Sequence, residues 1–457
     1  MSDTTGTMEG LGGAKSAPEA KANAALVLLY APNHAAIPAA FLLTGETVVI
    51  GREPPPGGFT ILQNAVSRVH ASVARTDEAW VVRDLESRNG VLVNGRRVRQ
   101  HALASNDEVR IGDAIFKFVP TDADGYARFR IDGPGARIAE GVGGFAVSRL
   151  ASEIATIAKA ELSVLITGET GTGKELCARA LHEASGRRGP LRALNCAAIP
   201  ANLVESELFG FKRGAFTGAD RDHAGMVRAA HGGTLLLDEI GDMPLDAQAK
   251  LLRMIETREI VPLGGAGSEK VDVRIVCATH RNLQALVDAG RFRGDLFARI
   301  NGYALRLSPL RDHKEDLFLL VRHFLARAGR PDLGVTFPFM VSVCHYAWPY
   351  NARELDGAVR RAIAVAQGPE LDAKDLPETL AACMVGYGAM PEEASGSPAP
   401  PPRAAPASAA APGADTLRAL LARHQGNVSA VARELGKDRV QIHRWLRLHG
   451  IAPDDYR

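Results

Sequence analysis

Three stretches of the chain carry residue types and spacings that could do chemistry on a phosphate or deliver its result. The first is Gly168, Glu169, Thr170, Gly171, Thr172, Gly173, Lys174 and Glu175, which follows the apolar run Ser163–Thr167 and precedes a helical pattern. Strand, glycine loop and helix is the context that a phosphate-binding loop requires. Backbone amides and the helix N-terminus would hold the phosphates of ATP, and Lys174 would reach the β and γ groups. The general pattern continues with Ser or Thr, whose hydroxyl meets Mg²⁺; here Glu175 stands in that place. The second stretch, Gly233–Glu239, reads as a buried strand ending in two carboxylates. Asp238 fits the role of holding Mg²⁺, and Glu239 that of orienting and deprotonating the attacking water. A strand ending in acids is common by itself, and the upstream Lys174 is what gives it meaning. The third is Gly214, Ala215, Phe216, Thr217, Gly218 and Ala219. Glycines let this backbone turn tightly, and an aromatic at the tip of a loop is poor for solubility unless a partner receives it.

The elements that must position these residues follow from pattern. Residues 24–119 read as β-rich: Thr47–Ile50, Trp80–Val82, Val91–Val93 and Ala114–Val119 are short apolar runs, separated by turn dipeptides such as Asn89-Gly90 and Asn94-Gly95. Residues 120–140 carry Gly, Pro and Asp and read as a linker. From 141 to 309 the pattern is α/β, with Val147, Leu150, Ile154 and Ile157 at helical spacing. Residues 310–385 read as helical, and 386–413 form a Pro/Ala-rich linker that cannot build a core. Residues 414–457 hold a small helical unit, and 1–23 a polar tail.

Composition bounds the rest. With 457 residues the chain has room for about three domains. A net charge of +2 excludes a chain that coats nucleic acid along its whole surface, so DNA binding needs a local patch. Cysteines 177, 196, 277, 344 and 383 lack metal-ligand or disulfide-framework spacing, which fits reduced thiols. No signal core or membrane-length apolar run is present, so a cytoplasmic protein without membrane contact is expected.

The intact GAFTGA string, with the phosphate loop and acidic strand around it, resembles the sigma-54-contacting loop of the bacterial enhancer-binding proteins, a family of AAA+ transcription activators. The resemblance covers about 45–118, 141–385 and 414–451. It implies an α/β P-loop ATPase core with a helical lid. In that family glutamate is usual where Glu175 stands. The resemblance implies that Asn195 couples Glu239 to nucleotide state, with a capping asparagine as the plain alternative. It makes Thr279 the sensor at a strand end, followed here by His280 where the family has Asn. Arg293 and Arg299 match the arginine fingers supplied by a neighbouring subunit, or else are surface ion-pairing residues. Fingers acting in trans imply a homo-oligomer, from dimer to hexameric ring. Arg353 in Trp348–Leu355 takes the second-sensor role, although Tyr350 and Ala352 stand where the family has Gly and Val. Leu208 and Phe209 read as packing residues anchoring the GAFTGA loop.

At the C-terminal end, Gly426–Gly450 reads as helix, turn, helix, with Gly436 at the turn and Asp438 and Gln441 at capping-box spacing. Ala430, Val431, Leu435, Ile442, Trp445 and Leu446 face inward, which leaves Arg439, Val440, His443, Arg444 and Arg447 outward for a major groove. A helical hairpin used for dimerisation has the same pattern. The string resembles the Fis-type helix-turn-helix that ends enhancer-binding proteins.

At the other end, Gly51-Arg52, Ser67–His70, Asp84–Gly90 and Val93–Gly95 resemble a forkhead-associated (FHA) β-sandwich, which binds phosphothreonine peptides. Arg52, Ser67 and Arg68 would surround the phosphate. Asn89 would fix the peptide backbone, Arg88 stands where the family often has Thr, and His70 reads as structural. The alternative is an FHA fold used for protein contact without phosphate.

The reading is a modular activator. A phosphothreonine-bearing protein or kinase is its input, enhancer DNA its anchor and the sigma-54 RNA polymerase holoenzyme its target. Two other classes stay open: an AAA+ remodeller of a different protein, and a phosphopeptide-binding DNA protein with a dead ATPase.

Overall fold

The structure is a computed structural model that describes residues 24–217, 219–389 and 414–424, with 427, 428, 430, 431, 442, 446 and 451. The chain divides into two units, Met1–Pro391 and Glu392–Arg457.

The first unit begins with a β-sandwich. One six-stranded sheet runs in the order 40–43, 24–30, 114–119, 108–111, 91–93, 96–98, and a five-stranded sheet runs 59–60, 47–51, 71–75, 80–84, 100–103. Every run read as a strand is one. Asn94 and Gly95 both have positive φ, +50° and +77°, and pair Val93 with Arg96 in a two-residue hairpin. The strands Ala24–Tyr30 and Ala114–Val119 are buried along their whole length and do not alternate. One face packs into the sandwich core, and part of the other carries a small apolar cluster with Ala123.

The segment expected as a linker, 120–140, holds a short helix, Ala123–Tyr126, and the strand Ala136–Ile138. That strand forms a hairpin with Gly141–Gly143, which lies under the helix Phe145–Ile157. Next comes a five-stranded parallel sheet in the order 191–195, 234–238, 274–279, 164–167, 303–306. The phosphate loop leaves the C-terminal end of Val164–Thr167, and Asp238 and Glu239 sit at the same end of Thr234–Asp238. Ligands bind at this edge of open α/β sheets.

A helical region follows, with helices Leu317–Arg327, Phe337–His345, Asn351–Val365 and Glu378–Cys383. Its apolar residues join those of the β-sandwich in one continuous core. Tyr30 donates to the Val335 carbonyl at 3.3 Å and lies against Phe318 with ring centres 5.0 Å apart. Lys117 is fully buried and pairs with Glu315 at 2.5 Å. The otherwise apolar strand Ala114–Val119 tolerates this buried lysine because the helical region supplies the Glu315 carboxylate and the Asp312 carbonyl.

The turn before Leu317 carries a second buried pair. His313 Nδ1 lies 3.0 Å from Asp316 Oδ2 and Nε2 lies 3.3 Å from the Ser308 carbonyl, so both ring nitrogens face acceptors. Burial pulls the His313 pKa down, but the hydrogen bond and charge of Asp316 outweigh it and raise the value above 6.5. A raised folded-state pKa contributes stability that is full below the unfolded value and is lost as pH rises through the folded one. The melting temperature of the first unit should therefore carry a downward component with rising pH above about 6.5. That component should vanish in His313→Gln, measured by thermal denaturation across pH; an unchanged slope in the variant would refute the assignment.

The second unit contains the helix Ala414–Arg423 and a cluster of Leu417, Leu421, Val428, Val431, Ile442, Leu446 and Ile451. Val431, Ile442 and Leu446 are buried, as their spacing predicts. Arg439, Val440, His443, Arg444 and Arg447, together with Leu435, Trp445, Asp438 and Gln441, lie outside the described residues, as do 1–23 and 390–413.

Candidate functional site

A cavity of about 820 Å³ opens where the parallel sheet, the 136–143 hairpin and the helical region meet. The loop from Thr170 to Glu175 forms one wall, and Asn195, Asp238 and Glu239 form another. Gly171 has φ +81°, and a Cβ there would lie 2.1 Å from the Tyr350 carbonyl oxygen, so this glycine is fixed by close approach of the helical region. Gly168 donates its N–H to the Thr279 carbonyl at 3.3 Å, which ties the loop to the central strand.

Lys174 opens the helix Lys174–Ser185 and is buried. Its Nζ donates to the carbonyls of Gly168 and Glu169 at 3.1 and 3.3 Å and stands 3.6 Å from Glu239 Oε1. Asp238 accepts from the Glu239 N–H at 3.1 Å and from Asn195 Nδ2 at 3.3 Å. Burial, then the neighbouring Glu239 charge, pushes the Asp238 carboxyl above its ordinary value. Glu239 has φ +50° and accepts from the His280 N–H at 3.3 Å, and its Oε2 lies 2.8 Å from His280 Nδ1.

Asn195 bonds Asp238, while His280 and Lys174 meet Glu239. Thr279 is fully buried, and its hydroxyl accepts from the Arg281 N–H at 3.0 Å. Glu175 lines the cavity and pairs with Arg179 at 3.7 Å.

The helical region closes the other side of the cavity. Arg353 lines it, beside Leu320, His323 and Phe324. Glu169 is gripped by both Arg311 nitrogens at 2.7 and 2.8 Å, and Asn351 donates to it at 3.3 Å and to the Thr170 carbonyl at 3.0 Å. The Arg311 hydrogen bonds hold the Glu169 carboxyl below its ordinary value. Sequence reading missed Arg311, the hairpin wall, Asn351, Leu320, His323 and Phe324, because nothing local marks them as neighbours of the loop.

Arg293 and Arg299 do not line the cavity of their own chain. Arg293 pairs with Asp295 at 2.6 Å and Arg299 with Glu256 at 3.5 Å, both on the surface.

The GAFTGA segment leaves the helix Ala201–Phe209, in which Leu208 and Phe209 are buried anchors. Asp222 fastens its base by a Lys212 pair at 2.7 Å and by accepting the Arg213 N–H at 2.9 Å. Gly214 has φ +81° and donates to the Ala219 carbonyl at 2.9 Å, and Ala219 donates to the Phe216 carbonyl at 3.0 Å. The Phe216 ring meets Phe211 edge-on at 4.9 Å yet stays 39% exposed. Gly218 lies outside the described residues.

In the β-sandwich, Arg52, Ser67, Arg68, Arg88 and Asn89 lie on neighbouring loops. Arg52 donates its N–H to the Ser67 carbonyl at 2.9 Å, Arg88 its N–H to Ser67 Oγ at 3.2 Å, and Asn89 Nδ2 to the Ala65 carbonyl at 2.7 Å. His70 is fully buried beneath them: Nδ1 accepts from Ser67 at 3.0 Å and Nε2 donates to Gly90 at 3.2 Å. That is a structural histidine. Gly51 belongs here too, since a Cβ would sit 2.1 Å from the Arg68 carbonyl oxygen.

Comparison with known proteins agrees with this division. Residues 48–112 match the FHA domain, 144–306 the Sigma-54 interaction domain and 311–385 an AAA+ ATPase lid domain. The chain is similar to regulatory protein AtoC of Escherichia coli, 48% identical over 51% of this chain and 52% of that protein. It is also similar to the DNA-binding transcriptional regulator NtrC of Azospirillum brasilense, 52% identical over 46% of this chain and 45% of that one. The chain thus spans about half the length of these curated relatives. A crystal structure of NtrX from Brucella abortus in complex with ATP is 29% identical, with 70% of this chain and 69% of that chain covered at a TM-score of 0.48. In sequence the chain carries an FHA domain, a Sigma-54 interaction domain and an AAA+ ATPase lid domain, and over about half of its length it is homologous to the regulators AtoC and NtrC.

Proposed function

We propose that the chain hydrolyses ATP in the 820 Å³ cavity and uses the cycle to drive Phe216 and Thr217 against sigma-54 RNA polymerase, remodelling its closed promoter complex. The observation that carries this is the convergence of Lys174, Asp238 and Glu239 at one sheet edge, under a lid that contributes Arg353. Thr170–Lys174 cradle the phosphates, and Lys174 exchanges its carbonyl partners for phosphate oxygens. Glu239, with Oε2 held by His280, keeps Oε1 on the Lys174 side, where it takes the proton of the attacking water. Arg293 and Arg299 serve the cavity of a neighbouring copy in a ring, where each guanidinium stabilises the transferring phosphoryl group.

Mg²⁺ fits this donor set. Asp238 is a half-buried carboxylate with a raised pKa that forms no salt bridge among the described residues, so a dication would relieve its crowding by the Glu239 charge. Among the described residues no cluster of three or more His, Cys, Asp or Glu forms a cage, which suits an ion held by one carboxylate, phosphates and water. When bound, it would neutralise phosphate charge.

The second unit binds enhancer DNA through Arg439, Val440, His443, Arg444 and Arg447, and the FHA loops take a phosphothreonine-bearing protein as input. Among the described residues no helix is long and apolar enough to cross a membrane. The ATPase reading is tested by steady-state hydrolysis with Mg²⁺. The input is tested by Arg52→Ala, which should abolish binding of a phosphothreonine peptide in a calorimetric titration. An unaltered isotherm would leave the FHA fold as a contact surface without phosphate.

A further inference from the structure

The FHA domain has charged residues on a sheet face that its phosphopeptide loops do not use. Glu108 and Lys117 are opposite each other on neighbouring antiparallel strands, in register, and both are buried. Cross-strand opposite charges at such spacing can pair with one another. Here each turns outward to the lid instead. Lys117 Nζ reaches Glu315 at 2.5 Å and donates to the Asp312 carbonyl at 3.1 Å, while Glu108 meets Lys314 at 3.3 Å and His345 at 3.6 Å. Two adjacent lid residues, Lys314 and Glu315, thus complement two adjacent strand residues of opposite sign.

Aromatic contacts flank this quartet. The Arg110 guanidinium lies 4.8 Å from the Phe337 ring centre and 5.8 Å from that of Tyr387. Beyond Tyr387 the chain pairs with the sheet edge: Gly388 donates to the Gly95 carbonyl at 2.7 Å and Arg97 to the Ala389 carbonyl at 3.1 Å.

The lid segment grasped on this side, 310–316, is grasped by the phosphate loop on its other side. Arg311 holds Glu169, and Leu310 donates its N–H to Asn351 Oδ1 at 2.7 Å, the same asparagine that donates to Glu169 and Thr170. Asp316 Oδ1 accepts the Gly144 N–H at 2.6 Å at the foot of the 145–157 helix. The FHA contact at Asp312 directly follows the P-loop contact at Arg311 along the chain.

We propose that this sheet face is a second interaction surface of the FHA domain, that its partner is the core–lid hinge of the same chain, and that docking there tightens the nucleotide cavity. The surface is built for release as well as for docking. On undocking, Glu108 and Lys117 are in register to pair across the sheet, and Lys314 and Glu315 become solvated, so no charge is stranded. The hydrogen bonds and ion pairs of Arg52, Ser67, Arg88 and Asn89 stay within the FHA domain. A phosphopeptide can therefore be received while the sheet face is docked.

The experiment uses the full chain, with Glu315→Lys to set Lys117 against a like charge, and Lys117→Glu added to restore a pair of reversed sign. Hydrogen exchange is followed on 108–119 and 310–316, and ATP affinity is measured by titration with Mg²⁺ present. Glu315→Lys should raise exchange on both segments and weaken ATP binding about tenfold, within the ordinary range of coupling between sites. The charge-exchanged double variant should recover both. Should Glu315→Lys not fold, a double variant that folds and binds ATP as the natural chain does supports the pairing, and one that does not contradicts it. Protected segments in a folded Glu315→Lys, or faster exchange with ATP affinity unchanged, overturn the proposal. The affinity readout rests on the ATP reading above: a natural chain that binds no ATP sinks that reading, whereas the exchange readout speaks to docking by itself.

Discussion

Replacing Lys174 by alanine is expected to remove ATP binding, whereas replacing Glu239 by glutamine is expected to keep binding and remove hydrolysis. The two residues stand 3.6 Å apart and differ in what they do with charge. Lys174 is the buried cation of the cavity floor, and its hydrogen bonds now go to two loop carbonyls. Without it, ATP phosphates would face Asp238 and Glu239 with no compensating charge from the loop. Charge-assisted hydrogen bonds are worth about 1.5–3 kcal/mol each, so affinity should fall by about 100-fold or more. Glutamine at 239 keeps the shape and can still meet His280, but it cannot take a proton. Hydrolysis should fall by about 100- to 10,000-fold, the usual worth of a positioned general base. Equilibrium titration of both variants together with steady-state turnover separates the roles. Equal loss of affinity in both would show that Glu239 acts in binding rather than in proton transfer.

The second large effect is structural. Trp348 is fully buried in the lid and donates Nε1–H to the Val343 carbonyl at 2.9 Å, with Tyr346 edge-on at 5.1 Å. It precedes the turn through Tyr350 and Asn351 that touches the phosphate loop, and its own φ of +51° is left-handed. Trp348→Ala should cost about 3–5 kcal/mol, a truncation plus the cavity it leaves. Because the lid shares its core with the FHA sandwich, the loss should appear in one transition that includes FHA strands. Chemical denaturation followed at both places checks this. A variant whose FHA strands keep full stability while the lid melts alone would show that the shared core does not transmit.

What the sequence revealed was local. The P-loop, the acidic strand and the GAFTGA turn are each short strings whose chemistry depends on neighbours a few residues away. Each occupies the strand end or loop tip that its pattern predicts. His70 was legible for the same reason, since it caps loops three and twenty residues away. What stayed hidden depends on distance in the chain. Lys117 sits in an apolar strand and finds Glu315 nearly two hundred residues later. No periodicity or propensity encodes that meeting. The 136–143 hairpin is too short and glycine-rich to show alternation, so its first strand reads as linker while forming the cavity wall. Asn195 meets Asp238 and His280 meets Glu239 between strand ends about forty residues apart in the chain, a pairing that no local pattern displays.

The central claim is that Phe216 and Thr217 are the output of the ATPase and take no part in its chemistry. Their loop is fastened by Asp222 and tipped by a ring only partly covered by Phe211, and none of its described residues lines the cavity. The most direct measurement is in vitro transcription from a sigma-54 promoter, with polymerase, ATP and Phe216→Ala or Thr217→Ala in place of the natural chain, alongside their ATPase rates. The account predicts near-normal hydrolysis with open-complex formation lost. Normal activation by either variant would contradict it.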